Sequence, residues 1–380
     1  MEQASERAKR LLTDKTVLIF GGTGSLGRAL IGRLAATNRV HVFSRDESKH
    51  WTLRNELPPE WDVKFHVGDV RDYGRVLQVV DEVNPWAVVS AAALKHVDVC
   101  ESTPTESLET NVRGPQNIAS ACVAKMRRGG NIHVVLQVST DKACEPVNVY
   151  GMCKALAERV FTSQPLVNTV MPKHGTPGID GFPRFVVVRY GNVLESRCSI
   201  LPLFRWQAEN RHAFTVTDPN MTRFVMTLDD SVDLICAAIA SGVHGQTWIP
   251  RIPAMRIGDL AELFSERFGK PIERIAVRPG EKLHEDLIGR TEAVRTLGNC
   301  EYWPDPQTWG IGHYIINPPD RPLPESYERP DMAHLRVKGY TSNDDVMTKE
   351  GLAEHLQKLG VMSVDLASFK GNSIEEIRTT

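Results

Sequence analysis

Tyr150 and Lys154 stand one helical turn apart in Tyr150-Gly-Met-Cys-Lys154, a spacing that puts both side chains on one face of a helix. An ammonium so placed can lower the phenol pKa and hydrogen-bond a nicotinamide ribose, making Tyr150 a base for a substrate hydroxyl whose carbon is being oxidised. With 7 tyrosines in the chain, one such pair also arises by chance. Ser139-Thr140, upstream at the end of an apolar run, strengthens it, because a hydroxyl there completes a Thr-Tyr-Lys set. Asp141 and Lys142 follow directly. Alcohol oxidation needs neither, but elimination does: beside a new ketone the adjacent C–H is acidic, a base removes it, and an acid protonates the departing hydroxyl. The bland alternative is a solvated turn ahead of Pro146.

Chemistry of this kind needs a cofactor, and the sequence places one. Val17 to Phe20 is a short β-branched run, followed at once by Gly21-Gly22-Thr23-Gly24-Ser25-Leu26-Gly27 and by Arg28 to Ala35 at helical spacing. Strand, glycine turn and helix together let backbone approach a pyrophosphate at a helix N-terminus, although a GxxGxxG alone also serves as a mere tight connection. After the second strand, where an NAD enzyme usually carries a carboxylate, stand Ser44 and Arg45 ahead of Asp46. A hydroxyl and a guanidinium suit a 2′-phosphate, so NADP is expected over NAD. Asp69 in Gly68-Asp69-Val70 either accepts from the adenine amino group or caps the next helix.

Val40 to Phe43, Val63 to Val67, Ala87 to Ala91, Ile132 to Val138 and Phe185 to Arg189 read as further strands, with helices at Tyr73 to Val83 and Asn111 to Met126. That alternation predicts an α/β fold, a Rossmann-like doubly wound parallel sheet with a smaller α/β substrate-binding region. The expected divisions are a lead segment at 1–14, a mainly NADP-binding Rossmann domain at 15–192 with a Pro/Gly-rich surface insertion at 163–184, a mainly substrate-binding region at 193–300, and an irregular C-terminal extension at 301–380. In that extension Tyr302 to Pro330 is expected to be irregular, and Thr348 to Leu359 its one helix.

Composition removes other classes. The 380 residues carry 47 acidic and 45 basic side chains, a net charge of -2, with no basic stripe for nucleic acid. The longest near-apolar run, Trp86 to Leu94, is far too short to cross a bilayer, and the charged N-terminus lacks a signal-peptide core, so the expected compartment is the cytoplasm. Seven cysteines, at 100, 122, 144, 153, 198, 236 and 300, form no CxxC pair and are read as free thiols. His284-Glu285 does not complete an HExxH, and no metal is expected.

A longer set of segments then resembles one family: Gly21 to Gly27, Ala91-Ala-Ala-Leu-Lys-His-Val97, Ser139-Thr-Asp-Lys-Ala143, Asn148-Val-Tyr-Gly151, Val188-Arg-Tyr-Gly-Asn-Val193, Thr217-Asp-Pro-Asn-Met-Thr-Arg-Phe224 and Arg278-Pro-Gly-Glu-Lys-Leu-His-Glu285. In order over about residues 15–290, they resemble the UDP-N-acetylglucosamine 4,6-dehydratases of the polysaccharide-biosynthesis family of extended short-chain dehydrogenases/reductases. The resemblance implies NADP, a UDP-amino sugar substrate and a homo-oligomer, dimeric or hexameric. It implies Tyr150 as base at the C4 hydroxyl supported by Lys154 and Thr140, Lys142 as base at C5, and Asp141 as acid for the leaving C6 hydroxyl. Cofactor contacts would come from Gly21, Thr23, Gly24, Ser25, Leu26, Gly27, Ser44, Arg45, Asp69, Val70, Ala91, Ala92, Lys95, Tyr150 and Lys154. Substrate contacts would come from Lys95, Asn192, Met221, Thr222, Arg223, Arg278 and Glu281. Tyr150 in a chain without membrane helices is similar to the members that invert C5. Departures are Ser90 where relatives commonly have His, Met152-Cys153 inside YxxxK, and Glu195 and Cys198 in place of glycines. The rival reading is a UDP-sugar 4-epimerase, which uses the same Tyr and Lys; a non-catalytic NADP-binding sensor stands further off.

Overall fold

The computed structural model describes residues 12–164, 183–194, 196, 199–297, 312–319 and 339–360. Most of the 163–184 insertion, together with Glu195, Cys198 and Cys300, lies outside the described residues.

The first half alternates strand and helix: β1 (Thr16–Phe20), α1 (Ser25–Leu34), β2 (Arg39–Ser44), α2 (Glu47–Glu56), β3 (Val63–Val67), α3 (Tyr73–Val83), β4 (Ala87–Ser90), α4 (Gly114–Arg127), β5 (Val134–Val138), α5 (Val149–Thr162) and β6 (Arg184–Val188). Then come β7 (Asn192–Val193), α6 (Ile200–Asn210), β8 (Phe214–Val216), β9 (Thr222–Met226), α7 (Leu228–Ser241), β10 (Thr247–Pro250), β11 (Ala254–Arg256), α8 (Ile257–Phe268), β12 (Ile272–Arg274), β13 (Asp286–Ile288), β14 (Thr296–Leu297), β15 (His313–Ile316), β16 (Tyr340–Thr341) and α9 (Lys349–Lys358).

Nine strands form the main sheet in the order β14-β15-β10-β6-β5-β4-β1-β2-β3, parallel from β10 to β3. Along β1 the side chains alternate between two cores: Val17 and Ile19 pack with Leu30, Val42 and Ile235 on one face, Leu18 and Phe20 with Val79, Ile118 and Phe161 on the other. A sheet covered on both faces must read as continuous apolar runs, which is why these strands are legible in the sequence. A third core, around Phe204, Phe214, Leu260, Phe264 and Leu352, lies beneath β8, α6, α8 and α9.

Two expectations need correction. The helix expected over Asn111 to Met126 begins as a π-helical turn, Glu109–Arg113, before α4. Pro115 supplies no N–H to the ladder there, and the wider turn lets the Asn111 amide bond both the N–H and the carbonyl of Leu94, 2.9 Å each. In the extension expected to be irregular, His313–Ile316 is a fully buried strand of the main sheet, antiparallel to β10, and β16 pairs with β13. Short strands set among prolines carry no period that a sequence reading can detect. The helix expected at Thr348 to Leu359 forms as α9, with Thr348 as its N-cap.

Candidate active site

The chain leaves β1 for β2 and β3 on one side and returns to β4 on the other, so a crevice opens at the carboxyl ends of β1 and β4, the place where open α/β sheets bind ligands. Gly21 (φ +84°) lines it: a Cβ there would sit 2.7 Å from the Ala92 nitrogen, so only glycine lets the loop close against Ala91 and Ala92. Gly27 is pressed onto Gly22 in the same way. Gly24 caps α1 with no side-chain bond and no acid stands in the first turn, so no carboxylate opposes an anion at this helix N-terminus. This cradle fits a dinucleotide pyrophosphate.

At the end of β2, the Thr23 hydroxyl lies 3.2 Å from Ser44 Oγ, which is 2.6 Å from Nε2 of the buried His50. Arg45 is exposed, with its nearest carboxylate at 3.8 Å on Asp69. Asp46 is the N-cap of α2, its Oδ1 accepting from the Lys49 N–H at 3.0 Å. Asp69 is not the helix cap: Asp72 caps α3, while Asp69 binds the Arg71 guanidinium at 2.7 Å, and Arg71 holds its carboxyl below the ordinary range despite burial. Val70 is buried beside it and Lys95 is exposed on the turn after β4.

The catalytic candidates gather at the end of β5. Thr140 caps the 3-10 turn Asp141–Ala143, and its hydroxyl donates to Asp141 Oδ1 at 2.9 Å. Lys142 Nζ bridges two carboxylates, 3.1 Å from Asp141 Oδ1 and 3.1 Å from Glu285 Oε1. Both acids are almost wholly buried, while the Lys142 side chain keeps 21% exposure. Asp141 Oδ2 and Glu285 Oε2 are buried with no hydrogen-bond partner among the described residues. Burial pushes the Asp141 carboxyl up, partly opposed by Lys142, while Glu285 is held down by Lys142 and Arg223 against its burial. Burial works against a charge on Lys142 as well, but Asp141 and Glu285 outweigh it and raise its pKa.

Tyr150 and Lys154 share a face of α5 as expected, and both are buried. Their coupling differs from expectation. Lys154 Nζ donates to the Val138 carbonyl at 2.6 Å, and burial pushes its ammonium down to about 8. Tyr150 is pushed up to about 12 by burial, and the cation that pulls it down is Lys142. The reason is geometric: Gly151 has no Cβ, so α5 lies against the Lys142 carbonyl and brings the phenol to the 141–142 turn.

The substrate candidates fare unevenly. Asn192, on β7, has a buried Oδ1 with no partner among the described residues. Met221 is buried, and the Thr222 hydroxyl is taken up by His284 Nδ1 at 2.8 Å and Ser342 Oγ at 2.7 Å. Arg223 donates to the carbonyls of Thr222, Lys282 and Leu283 and lies 3.8 Å from Glu285, tying β9 to the 282–285 segment. Glu281 accepts from the Arg278 backbone N–H at 3.3 Å, which closes the Arg278-Pro-Gly-Glu281 turn and leaves the Arg278 side chain exposed.

Comparison with known proteins places this geometry. A family model described as polysaccharide biosynthesis protein matches residues 17–302. The chain belongs to that family. An uncharacterized membrane protein of Methanocaldococcus jannaschii is 40% identical over 286 residues, 72% of this chain and 80% of its own. A UDP-glucose 4-epimerase of Rickettsia typhi is 36% identical over 293 residues, 75% of this chain and 81% of its own. Among solved structures, Pen from Bacillus thuringiensis superimposes with a TM-score of 0.77 at 30% identity, covering 92% of this chain and 99% of that one. Among the described residues no helix is long and apolar enough to cross a membrane, and no cluster of side chains is suited to a metal ion.

Two residues of this cluster, Glu285 and Gly151, were not among the sequence candidates. Glu285 ended a family segment but carries no spacing that ties it to Lys142, and Gly151 sits inside YxxxK, where only the packing of α5 on the turn reveals its use.

Proposed function

We propose that this chain is an NADP-dependent UDP-N-acetylglucosamine 4,6-dehydratase that inverts C5 and yields a UDP-2-acetamido-2,6-dideoxy-4-hexulose. The observation that carries the reading is the ammonium of Lys142 between two buried carboxylates, beside Thr140 and Tyr150. A bound nicotinamide cofactor would supply an oxidant at C4 and return the same reducing equivalent to C6. The glycine cradle and the N-terminus of α1 would hold its pyrophosphate, and Ser44 with Arg45 its 2′-phosphate.

Tyr150 takes the C4 hydroxyl proton, with Thr140 beside it. Lys142 takes the C5 proton, and the electron pair of that bond expels the C6 hydroxyl. Asp141, whose carboxyl burial shifts towards its neutral form, supplies the proton with which that hydroxyl leaves as water. Protonation of C5 by solvent, from the face opposite Lys142, gives inversion.

The rival is 4-epimerisation, which the name of the Rickettsia typhi relative favours. Epimerisation needs a base at O4 and a turn of the ketone in its site, and leaves Asp141, Lys142 and Glu285 without work. Apolar side chains exposed around α5, namely Val99, Leu108, Met152 and Leu156, favour a homo-oligomer.

The test is turnover of UDP-N-acetylglucosamine in deuterated water, followed by NMR with NADP+ and then NAD+. A 4-keto-6-deoxy product carrying deuterium at C5, with ring couplings of the inverted sugar and a preference for NADP+, is expected. UDP-N-acetylgalactosamine as the sole product would assign the chain to the epimerases.

A further inference from the structure

Glu285 lies far along the chain from the 140–154 motifs, yet it supplies half of the cage around Lys142. Its position is built rather than incidental. Its backbone N–H donates to Ser342 Oγ at 2.9 Å, and that serine in turn donates to the Thr222 carbonyl at 3.1 Å, so β9 and the C-terminal segment fix the acid between them. Its side chain is 3% exposed, one oxygen is spent on Lys142, and the other has no partner among the described residues. A carboxylate this deeply buried is costly unless a cation compensates it, and Lys142 at 3.1 Å is the closest one. The other charged groups facing the pair are Asp141 at 3.1 Å from Lys142, Arg223 at 3.8 Å from Glu285, and Lys282, with the Tyr150 phenol beside the turn.

We infer that Glu285 is a positioning residue for Lys142: it aims Nζ and stabilises the ammonium formed when the amine takes the C5 proton. This rests on the dehydratase reading above. In the step the C5–H bond breaks, an N–H bond forms on Lys142, and the electron pair passes to C5–C6 as the C6 hydroxyl leaves with the proton of Asp141. The positive charge that appears on Lys142 appears beside Glu285, so the carboxylate is worth more after proton transfer than before. The same pairing makes Lys142 a stronger base and harder to deprotonate in the resting site, in agreement with the raised pKa its two carboxylates impose.

The experiment is Glu285→Gln against the parent enzyme, with three readouts: the pH profile of turnover, C5 deuterium incorporation, and the absorbance of reduced cofactor during a single turnover. Loss of the carboxylate lowers the Lys142 pKa, so the limb that requires a neutral amine moves to lower pH by about one to three pH units. The plateau and the rate of C5 exchange fall about 10- to 100-fold, the scale of coupling within one ion-pair network. Oxidation at C4 persists, so reduced cofactor accumulates. Glu285→Asp keeps the charge, and its limb stays near the parent's while its rate recovers in part; this variant carries the test if the glutamine protein does not fold. Unchanged limb and exchange in Glu285→Gln, or an aspartate limb displaced as far as the glutamine one, would overturn the inference while leaving the dehydratase intact. A parent enzyme that epimerises with no deuterium at C5 would overturn the reading beneath it, and the inference with it.

Discussion

Two buried ion clusters join α5 and its preceding turn to the 285–292 segment, and they use the same ingredients to different ends. In one, Arg189 donates to Glu158 at 2.9 and 2.6 Å, to Glu292 at 2.7 and 2.9 Å and to the Leu287 carbonyl at 2.9 Å. Glu292 also receives the Gly289 N–H at 3.1 Å. All of the guanidinium's nitrogens are engaged, and the planar fork matches two carboxylates as a lysine could not. In the other, Lys142 sits between Asp141 and Glu285, and each acid keeps one buried oxygen with no partner among the described residues. A saturated cluster acts as a bracket. An unsaturated one, with a partly exposed cation at its centre, holds hydrogen-bonding capacity in reserve for something that arrives.

If that contrast is right, the two cations fail differently. Arg189→Met strands two buried carboxylates and should cost about 3–5 kcal/mol of stability, measured by denaturant unfolding. Lys142→Met should cost less stability than Arg189→Met, because Asp141 is shifted towards its neutral form and Glu285 keeps Arg223 at 3.8 Å, while turnover of UDP-N-acetylglucosamine falls about 10²- to 10⁴-fold. Equal destabilisation by the two variants would break the comparison.

A double-mutant cycle sharpens it. Glu292→Gln and Arg189→Gln, singly and together, should show a coupling of about 1–3 kcal/mol in unfolding free energy, as expected for direct partners in a closed network. The corresponding cycle on Asp141→Asn and Lys142→Gln should show a smaller coupling in stability and a large one in turnover.

The smallest effect is in pH dependence, where the signs are opposite. Glu292 titrates below the ordinary carboxyl range in the folded chain, chiefly because Arg189 outweighs its burial. Its contribution is therefore present above the unfolded carboxyl range and is lost as pH falls through the folded value. Asp141 is shifted upward by burial, so its contribution is present below the unfolded range and is lost as pH rises through the folded value. Asp141→Asn should accordingly be more stable than the parent near neutrality and converge with it in acid. A melting series over pH checks this, and a variant less stable at every pH would show that Asp141 is part of the bracket.

Much of the glycine cradle was legible because its determinants are local. A glycine spacing, an apolar run before it and a helical period after it each describe neighbours along the chain, and β1, the glycine turn and α1 follow from them. Tyr150 with Lys154, and Thr140 with Asp141 and Lys142, were legible for the same reason. Less legible was what each side chain would spend its bonds on. Arg223, expected at the substrate, bonds backbone carbonyls here, and Glu281 accepts from a turn N–H, because a chain that folds back on itself offers partners no spacing announces. Lys154 likewise meets the Val138 carbonyl, leaving Lys142 as the cation that lowers the phenol.

By itself, then, the sequence determined the doubly wound sheet, the crevice between β1 and β4 and the identity of the nearby acid, amine and phenol, since these depend on periodicity and on contacts a few residues apart. Only the tertiary structure decided that β15 completes the sheet, that Gly151 draws Tyr150 onto Lys142, and that Glu285 closes the cage around that amine. Those outcomes depend on which distant segments share a buried volume, and there a charge must find its partner wherever the chain path brings one.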